Sequence, residues 1–289
     1  MGHPPEVART VAAVRAAVAR HRAAGHSVGL VPTMGALHEG HRSLVRAATE
    51  GNDAVVVSIF VNPMQFGPGE DLQSYPRTFE ADLGVLAAEG VHTVFAPAAD
   101  DFTPPDRVTT VRVAGLTEGL EAATRPTHFD GVTTIVAKLL NVVAPDRAYF
   151  GAKDFQQQAI IRRMVIDLDI PVQVITCPVV REHDGLALSS RNVYLTPAQR
   201  QDALVLSATL TALAADWDGD ADSARSRLVA RLAAAHGVRL DYAEIIDPVT
   251  LQPIDGASAG PAQVIVAAYL GSTRLLDTRP LPVPDRQEH

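Results

Sequence analysis

Along roughly the first 180 residues, short apolar runs alternate with longer segments whose apolar positions recur at helical spacing. The runs at 27–32, 54–61, 92–96, 147–150 and 172–177 read as strands, and helices are predicted around 6–24, 37–50, 78–89, 130–143 and 154–168. Ala54-Val-Val-Val-Ser-Ile-Phe-Val61 is apolar almost throughout, as a parallel strand covered on both faces requires. Gly25, Gly51 and Gly90 fall where three helices should stop. Such alternation predicts a Rossmann-like, doubly wound α/β sheet, whose ligands sit at the carboxyl ends of the strands. Residues 100–128 break the rhythm with Pro104-Pro105 and the β-rich Val108-Thr-Thr-Val-Arg-Val113, and read as an insertion.

Beyond about residue 180 the pattern changes. Thr196-Pro197 starts a long helix, with Thr as cap and Pro in the first turn. An Ala-rich helix over 221–235 and strands at 239–246, 263–270 and 273–277 follow, and the Pro-rich tail from Pro280 reads as loosely ordered. Helices followed by closely spaced strands predict a smaller α+β domain with an antiparallel sheet. The expected domains are 1–180 and 181–289, the second beginning with a candidate phosphate-clamp loop.

Composition narrows the function. The formal charge of −8 argues against a nucleic-acid partner, and the single cysteine, Cys177, excludes an internal disulfide and a cysteine zinc cluster. Cys177 lies in an apolar run and reads as a buried structural thiol. No apolar stretch is long enough to span a membrane. Residues 6–24 are amphipathic enough to mimic a transit peptide, but Glu6 and the direct run into the first strand favour an ordinary first helix, so a soluble cytoplasmic protein is expected.

Four segments fall where the strand ends of the first domain should converge. In Val31-Pro-Thr-Met-Gly-Ala-Leu-His-Glu-Gly-His41, His38 and His41 share one face of a helical first turn. Unpaired N–H groups and the positive end of the helix dipole predict an anion site there, and Gly35 and Gly40 permit close approach. A zinc pair is disfavoured, because helical zinc histidines stand four apart and need a third ligand; a plain capping role is the bland alternative. In Phe60-Val-Asn-Pro-Met-Gln-Phe66, Asn62 and Gln65 offer neutral amides, and the Gly/Pro-rich stretch 67–77 reads equally as a lid or a surface loop. In Tyr149-Phe-Gly-Ala-Lys-Asp-Phe-Gln-Gln-Gln158, Lys153 is placed to meet phosphates, Asp154 reads as a cap or a contact, and Gln157 is another neutral donor. Ser189, Ser190 and Arg191 form a candidate polyphosphate clamp, while His183 and Arg162-Arg163 read as surface groups.

His38-x-Gly-His41 resembles the signature of the nucleotidylyltransferase superfamily, and Leu188-Ser-Ser-Arg191 a degenerate form of its Lys-Met-Ser-Lys-Ser loop. With Pro32-Thr-Met-Gly-Ala-Leu-His38, Phe60-Val-Asn-Pro-Met-Gln-Phe66, Phe129-Asp-Gly-Val132 and Gly151-x-Lys-Asp-Phe-Gln-Gln157, the chain from about 28 to about 278 resembles the pantothenate synthetase (pantoate–β-alanine ligase) family. The resemblance implies ATP-dependent joining of (R)-pantoate and β-alanine through a pantoyl adenylate, with release of AMP and pyrophosphate. It implies catalytic roles for His38, His41 and Lys153, with His41 as general acid. It also implies ATP contacts at Met34, Gly35, His38, Gly40, His41, Gly151, Lys153, Asp154, Val180, Leu188, Ser189, Ser190 and Arg191, and pantoate contacts at Asn62, Gln65 and Gln157. Magnesium is implied too, with Asp82 matching one acidic position and Ala81 unable to ligate beside it, and so is a homodimer built around the 108–128 insertion. Ala152 stands where the family has Glu and Leu188 where it has Met; neither change removes a charge assigned to catalysis. The alternatives are another His-x-Gly-His adenylyltransferase, whose product keeps the AMP, and a nucleotide-binding regulatory protein without turnover. A tRNA-charging enzyme is disfavoured by the acidic charge.

Overall fold

The computed structural model describes residues 3–70 and 72–284, and the chain divides into two compact units. The first comprises residues 1–151 and 156–177, the second 152–155 and 178–289. The first runs β1 (Glu6–Ala8), α1 (Val11–Ala23), β2 (Val28–Thr33), α2 (Glu39–Gly51), β3 (Ala54–Ile59), α3 (Phe79–Ala88), β4 (Thr93–Phe95), two single turns α4 (Ala99–Phe102) and α5 (Glu121–Thr124), α6 (His128–Val143), β5 (Arg147–Gly151), α7 (Phe155–Asp167) and β6 (Gln173–Cys177). Its strands form one parallel sheet in the order β1-β4-β3-β2-β5-β6. The order reverses between β2 and β5, so the ligand crevice of a doubly wound sheet lies outside their carboxyl ends. Pro32 sits at that place without cost. β2 pairs with β5 only through Gly29 and Leu30, so the amide that Pro32 lacks has no partner to lose on that side. Val31, Val55, Val57 and Val94 of the sheet pack with Leu44, Val45 and Ala48 of α2 and Leu86 of α3, each large side chain contributing about 1.5–3 kcal/mol on burial.

The second unit holds α8 (Pro197–Ala215), α9 (Ala221–Ala233) and an antiparallel sheet of β7 (Val238–Ile246), β8 (Ala262–Leu270) and β9 (Thr273–Leu281). α8 begins with the expected cap: the Thr196 hydroxyl accepts from Gln199 N and the Gln199 side chain accepts from Thr196 N. Leu206, Leu210, Leu228 and Leu232 pack against Val264, Val266 and Leu270.

Three sequence expectations change. The first helix does not begin at Glu6: Glu6–Ala8 pair with Thr93–Phe95, and Thr10 caps α1 by accepting from Ala13 N. Gly51 is the last residue of α2, as expected, and it also leaves room for the Tyr149 hydroxyl, which a Cβ would strike. Residues 108–113 are not a strand: they run extended beside α6, where Val111 N donates to Thr134 Oγ1 and Val111 O accepts from Thr133 Oγ1. The tail is ordered through Leu281, with Pro280 opposite Gln263 on an edge strand that tolerates a missing amide. Residues 285–289 lie outside the described residues.

Candidate active site

The loop from β2 to α2 is tied down by its own amides. Gly35 adopts φ +83°, which favours glycine, and a Cβ there would lie 3.1 Å from Asp82 Oδ2 and 3.2 Å from Ile59. Gly35 N donates to Thr33 Oγ1 at 3.2 Å, Ala36 N to Asp82 Oδ2 at 3.0 Å and Leu37 N to Asp82 Oδ1 at 2.8 Å. His38 is the N-cap of α2. Its Nδ1 accepts from Gly40 N at 3.1 Å, while His41 Nδ1 accepts from His38 N at 3.4 Å, a capping box made of two imidazoles whose rings are 4.1 Å apart. The expectation of unpaired amides is narrowed: Gly35, Ala36, Leu37, His38 and Gly40 have protein partners. Beside that backbone, the loop brings two imidazoles to the start of α2. With Nδ1 accepting, each neutral ring carries its proton on Nε2, as the hydrogen bonds assign it.

β3 leads into a 3-10 turn, Pro63–Gln65, that presents Gln65. Asn62 is 1% exposed and fully used: Oδ1 accepts from Met64 N at 3.1 Å, and Nδ2 donates to Gln65 Oε1 at 3.0 Å and Gly131 O at 3.1 Å. The Asn62 side chain thus ties the 3-10 turn to the start of α6. It holds the Gln65 amide by its oxygen, which leaves Nε2 as that amide's donor group. The Gln65 carbonyl accepts from Arg125 Nη2 at 3.1 Å and His128 Nδ1 at 2.9 Å. His128 Nε2 lies 3.3 Å from Arg125 Nη1, and since guanidinium can only donate, His128 accepts there and carries its proton on Nδ1. α6 approaches this turn at Gly131, where a Cβ would stand 2.6 Å from Gln65 N and nearer still to Met64 C and O.

Arg125 also grips the 67–77 stretch, donating Nε to Glu70 Oε1 at 2.9 Å and Nη2 to Glu70 Oε2 at 2.6 Å. Burial works against the Glu70 charge, but the Arg125 hydrogen bonds and cation outweigh it and hold the carboxyl below its usual range. Arg125, His128 and Glu70 carry no motif in the sequence. No local pattern marks them, because the bonds that tie them to Glu70 and Gln65 span 55 to 63 residues of chain.

Of the three consecutive glutamines opening α7, only Gln157 is half-exposed. Gln156 is buried and holds the insertion through Leu116 O, Gly119 O and Glu121 N, while Gln158 accepts from Thr176 Oγ1. His38, His41, Asn62, Gln65 and Gln157 belong to the first unit. Lys153, Asp154, Val180, Leu188, Ser189, Ser190 and Arg191 belong to the second. Lys153 Nζ lies 3.3 Å from Asp154 Oδ1, its side chain 20% exposed.

The Leu188–Arg191 loop closes a narrow antiparallel turn in which Leu188 N donates to Val180 O at 2.9 Å and Arg181 bridges Ala187. Buried Asp277 receives Arg181 through two bonds of 2.7 and 2.9 Å, anchoring the base of this turn. Asn192 closes it from the other end, donating to Glu182 Oε1 and Ala187 O. Ser189 caps the 3-10 turn Ser190–Tyr194 by accepting from Arg191 N at 3.3 Å. His183 is exposed, as expected.

Among the described residues there is no group of three or more His, Cys, Asp or Glu side chains able to hold a metal ion. Nor is any described helix long and apolar enough to cross a membrane.

Comparison with known proteins agrees with this architecture. The pantoate–β-alanine ligase family model matches residues 6–279. A pantothenate synthetase from Moorella thermoacetica is 51% identical over 283 residues, covering 97% of this chain and all of that one. The crystal structure of a pantothenate synthetase from Thermus thermophilus aligns with TM-score 0.88 at 47% identity, over 95% of this chain and 98% of the other. A Francisella tularensis pantoate–β-alanine ligase, solved in complex with "Beta-gamma ATP" and β-alanine, aligns with TM-score 0.77 at 32% identity over 95% and 97%. With its crossover sheet, paired histidine cap and near-complete match, this chain belongs to the pantoate–β-alanine ligase family.

Proposed function

We propose that this protein joins pantoate to β-alanine at the expense of ATP, passing through pantoyl adenylate and releasing AMP and pyrophosphate. The observation that carries the reading is identity of 51% over 97% of the chain to a pantothenate synthetase. A carboxylate is a poor acceptor for an amine, and converting one oxygen into an adenylate leaving group overcomes that. The pantoate carboxylate attacks the α-phosphorus, the bond to pyrophosphate breaks, and the β-alanine amine then displaces AMP from the acyl carbon.

Lys153, His38 and His41 stabilise the charge that builds on the phosphate, and Ser189, Ser190 and Arg191 hold the outer phosphates. His41 donates a hydrogen bond or a proton to the departing pyrophosphate, the general-acid role that the family likeness implies. Gln65 and Gln157 bind pantoate through neutral amides, since a cation there would stabilise the nucleophile's ground state and slow its attack. The 67–77 stretch, latched through Glu70 to Arg125, shields the acyl adenylate from water. A homodimer fits the extended 108–113 segment, where Val108 is 97% exposed. A cytoplasmic location goes with the same reading.

The test is one incubation with ATP, magnesium and pantoate, with and without β-alanine. AMP formed in step with pantothenate supports the ligase. A product that retains AMP supports the adenylyltransferase reading, and ATP binding without pyrophosphate release supports a regulatory protein.

A further inference from the structure

The family likeness points to Asp82 as a magnesium ligand, and its surroundings do not fit that role. Asp82 is 3% exposed. Its Oδ1 accepts from Leu37 N, and its Oδ2 from both Ala36 N and Thr78 Oγ1 at 3.1 Å. The carboxylate also stands within 3.1 Å of the place a Cβ on Gly35 would take. Magnesium demands near-octahedral geometry and retains several waters, and a carboxylate walled in by three donors leaves no room for them. Its neighbour is Ala81, which carries no ligand atom.

We propose that Asp82 is a positioning residue: a buried pin at the first turn of α3 that holds the β2–α2 loop in its left-handed conformation and so sets His38 and His41. The loop needs such a pin. Ala36 has φ +51°, a region disfavoured for a residue with a side chain, and Gly35 precedes it at φ +83°. Consecutive amides turned the same way form an anion-binding nest, and here the anion that fills it is the protein's own carboxylate. Two consequences follow. The amides of Ala36 and Leu37 are already occupied before ATP arrives, so they are not the groups that meet its phosphates. Magnesium then reaches the site on the nucleotide's phosphates and water, with no ligand from Asp82.

This rests on the ligase reading for its kinetic part only, and the test has a part that needs no turnover. Amide hydrogen exchange is measured over residues 34–41 in the wild type and in Asp82→Asn, which keeps the shape but replaces one acceptor by a donor. Exchange at Ala36 and Leu37 should rise about tenfold or more, the equivalent of losing one charge-assisted hydrogen bond. The affinity for α,β-methylene-ATP in EDTA should weaken, and the magnesium concentration giving half-maximal pyrophosphate release should stay within about twofold of wild type. Unchanged exchange at Ala36 and Leu37 overturns the proposal. So does a rise of about tenfold in the magnesium requirement with analogue affinity in EDTA intact, the signature of a lost ligand. If Asp82→Asn does not fold, Thr78→Val, which removes one donor from the pin, is read by the same exchange experiment, where faster exchange at Ala36 supports the pin and unchanged exchange overturns it. Loss of ligase activity in the wild type would defeat the function while leaving the exchange result to stand or fall alone.

Discussion

Gly131→Ala sets two effects against each other. Helix propensity favours alanine over glycine within a helix by about 1 kcal/mol, and Gly131 lies in α6, so on propensity alone the variant is stabilised. The new methyl, however, would stand 2.6 Å from Gln65 N, with Met64 C and O closer still. Ordinary contact begins at 3.4 Å, so α6 or the 3-10 turn must retreat by at least 0.8 Å (3.4 minus 2.6). The obstacle is backbone on both sides, and no flexible side-chain end can swing away. Overpacking of this kind costs about 1–3 kcal/mol, which meets or exceeds the propensity gain. The retreat also stretches the bond from Asn62 to Gly131 O and the bonds from Arg125 and His128 to the Gln65 carbonyl, so the shift is delivered to Gln65. A misplacement of about 1 Å at a substrate-positioning group costs about a hundredfold in rate. The expected result is a melting temperature unchanged or a few degrees lower, and kcat/KM for pantoate down about a hundredfold, with the ATP requirement much less affected. Pyrophosphate release at varied pantoate and a thermal melt decide it. A variant more stable than wild type with full pantoate efficiency would refute the close approach.

Lys153→Ala should lower turnover by about 3–4 kcal/mol, like the loss of one preorganised donor, and activity near wild type in a pyrophosphate assay would rule out its role. Arg125→Leu strands Glu70 and Glu121, whose side chains are 26% and 8% exposed; because the pairs are only partly buried, the loss should sit at or below about 3 kcal/mol, with faster proteolytic cleavage within 67–77. Unchanged stability and cleavage would show that the latch carries no load. At the opposite end of the sheet, burial first, then the neighbouring imidazoles, push the His21 and His92 rings below their ordinary value of 6.5. Both are protonated more readily unfolded than folded, so their contribution is full above pH 6.5 and is lost as pH falls toward and through the lower folded-state values. Melting temperature should therefore drop on acidification, and less steeply in His21→Leu; parallel slopes would contradict the cluster's role.

Much of the architecture was legible because it is written locally. Strands buried on both faces must be apolar throughout, as Ala54–Ile59 is, and a helix starting at Thr196-Pro197 announces itself by its cap. The three-residue strand Glu6–Ala8 carries no such mark, since its only reason to be extended is β4, more than eighty residues along the chain. Conversely, Val108–Val113 has strand composition but no strand neighbour among the described residues, and composition cannot supply one.

The same division runs through the site. Sequence alone determined which chemistry is available: two imidazoles three residues apart after a buried strand, neutral amides at Gln65 and Gln157, a lysine at the end of β5 and a serine-arginine turn. Tertiary structure decided which of those groups remain for a ligand. Asp82, 46 residues from Ala36, takes the loop amides that the sequence left open, and Gly131, 69 residues from Asn62, takes half of an amide that looked available for a substrate. A hydrogen-bonding group has a fixed capacity, and whether it is spent depends on what the fold brings within about 3 Å, which no local pattern of residues encodes.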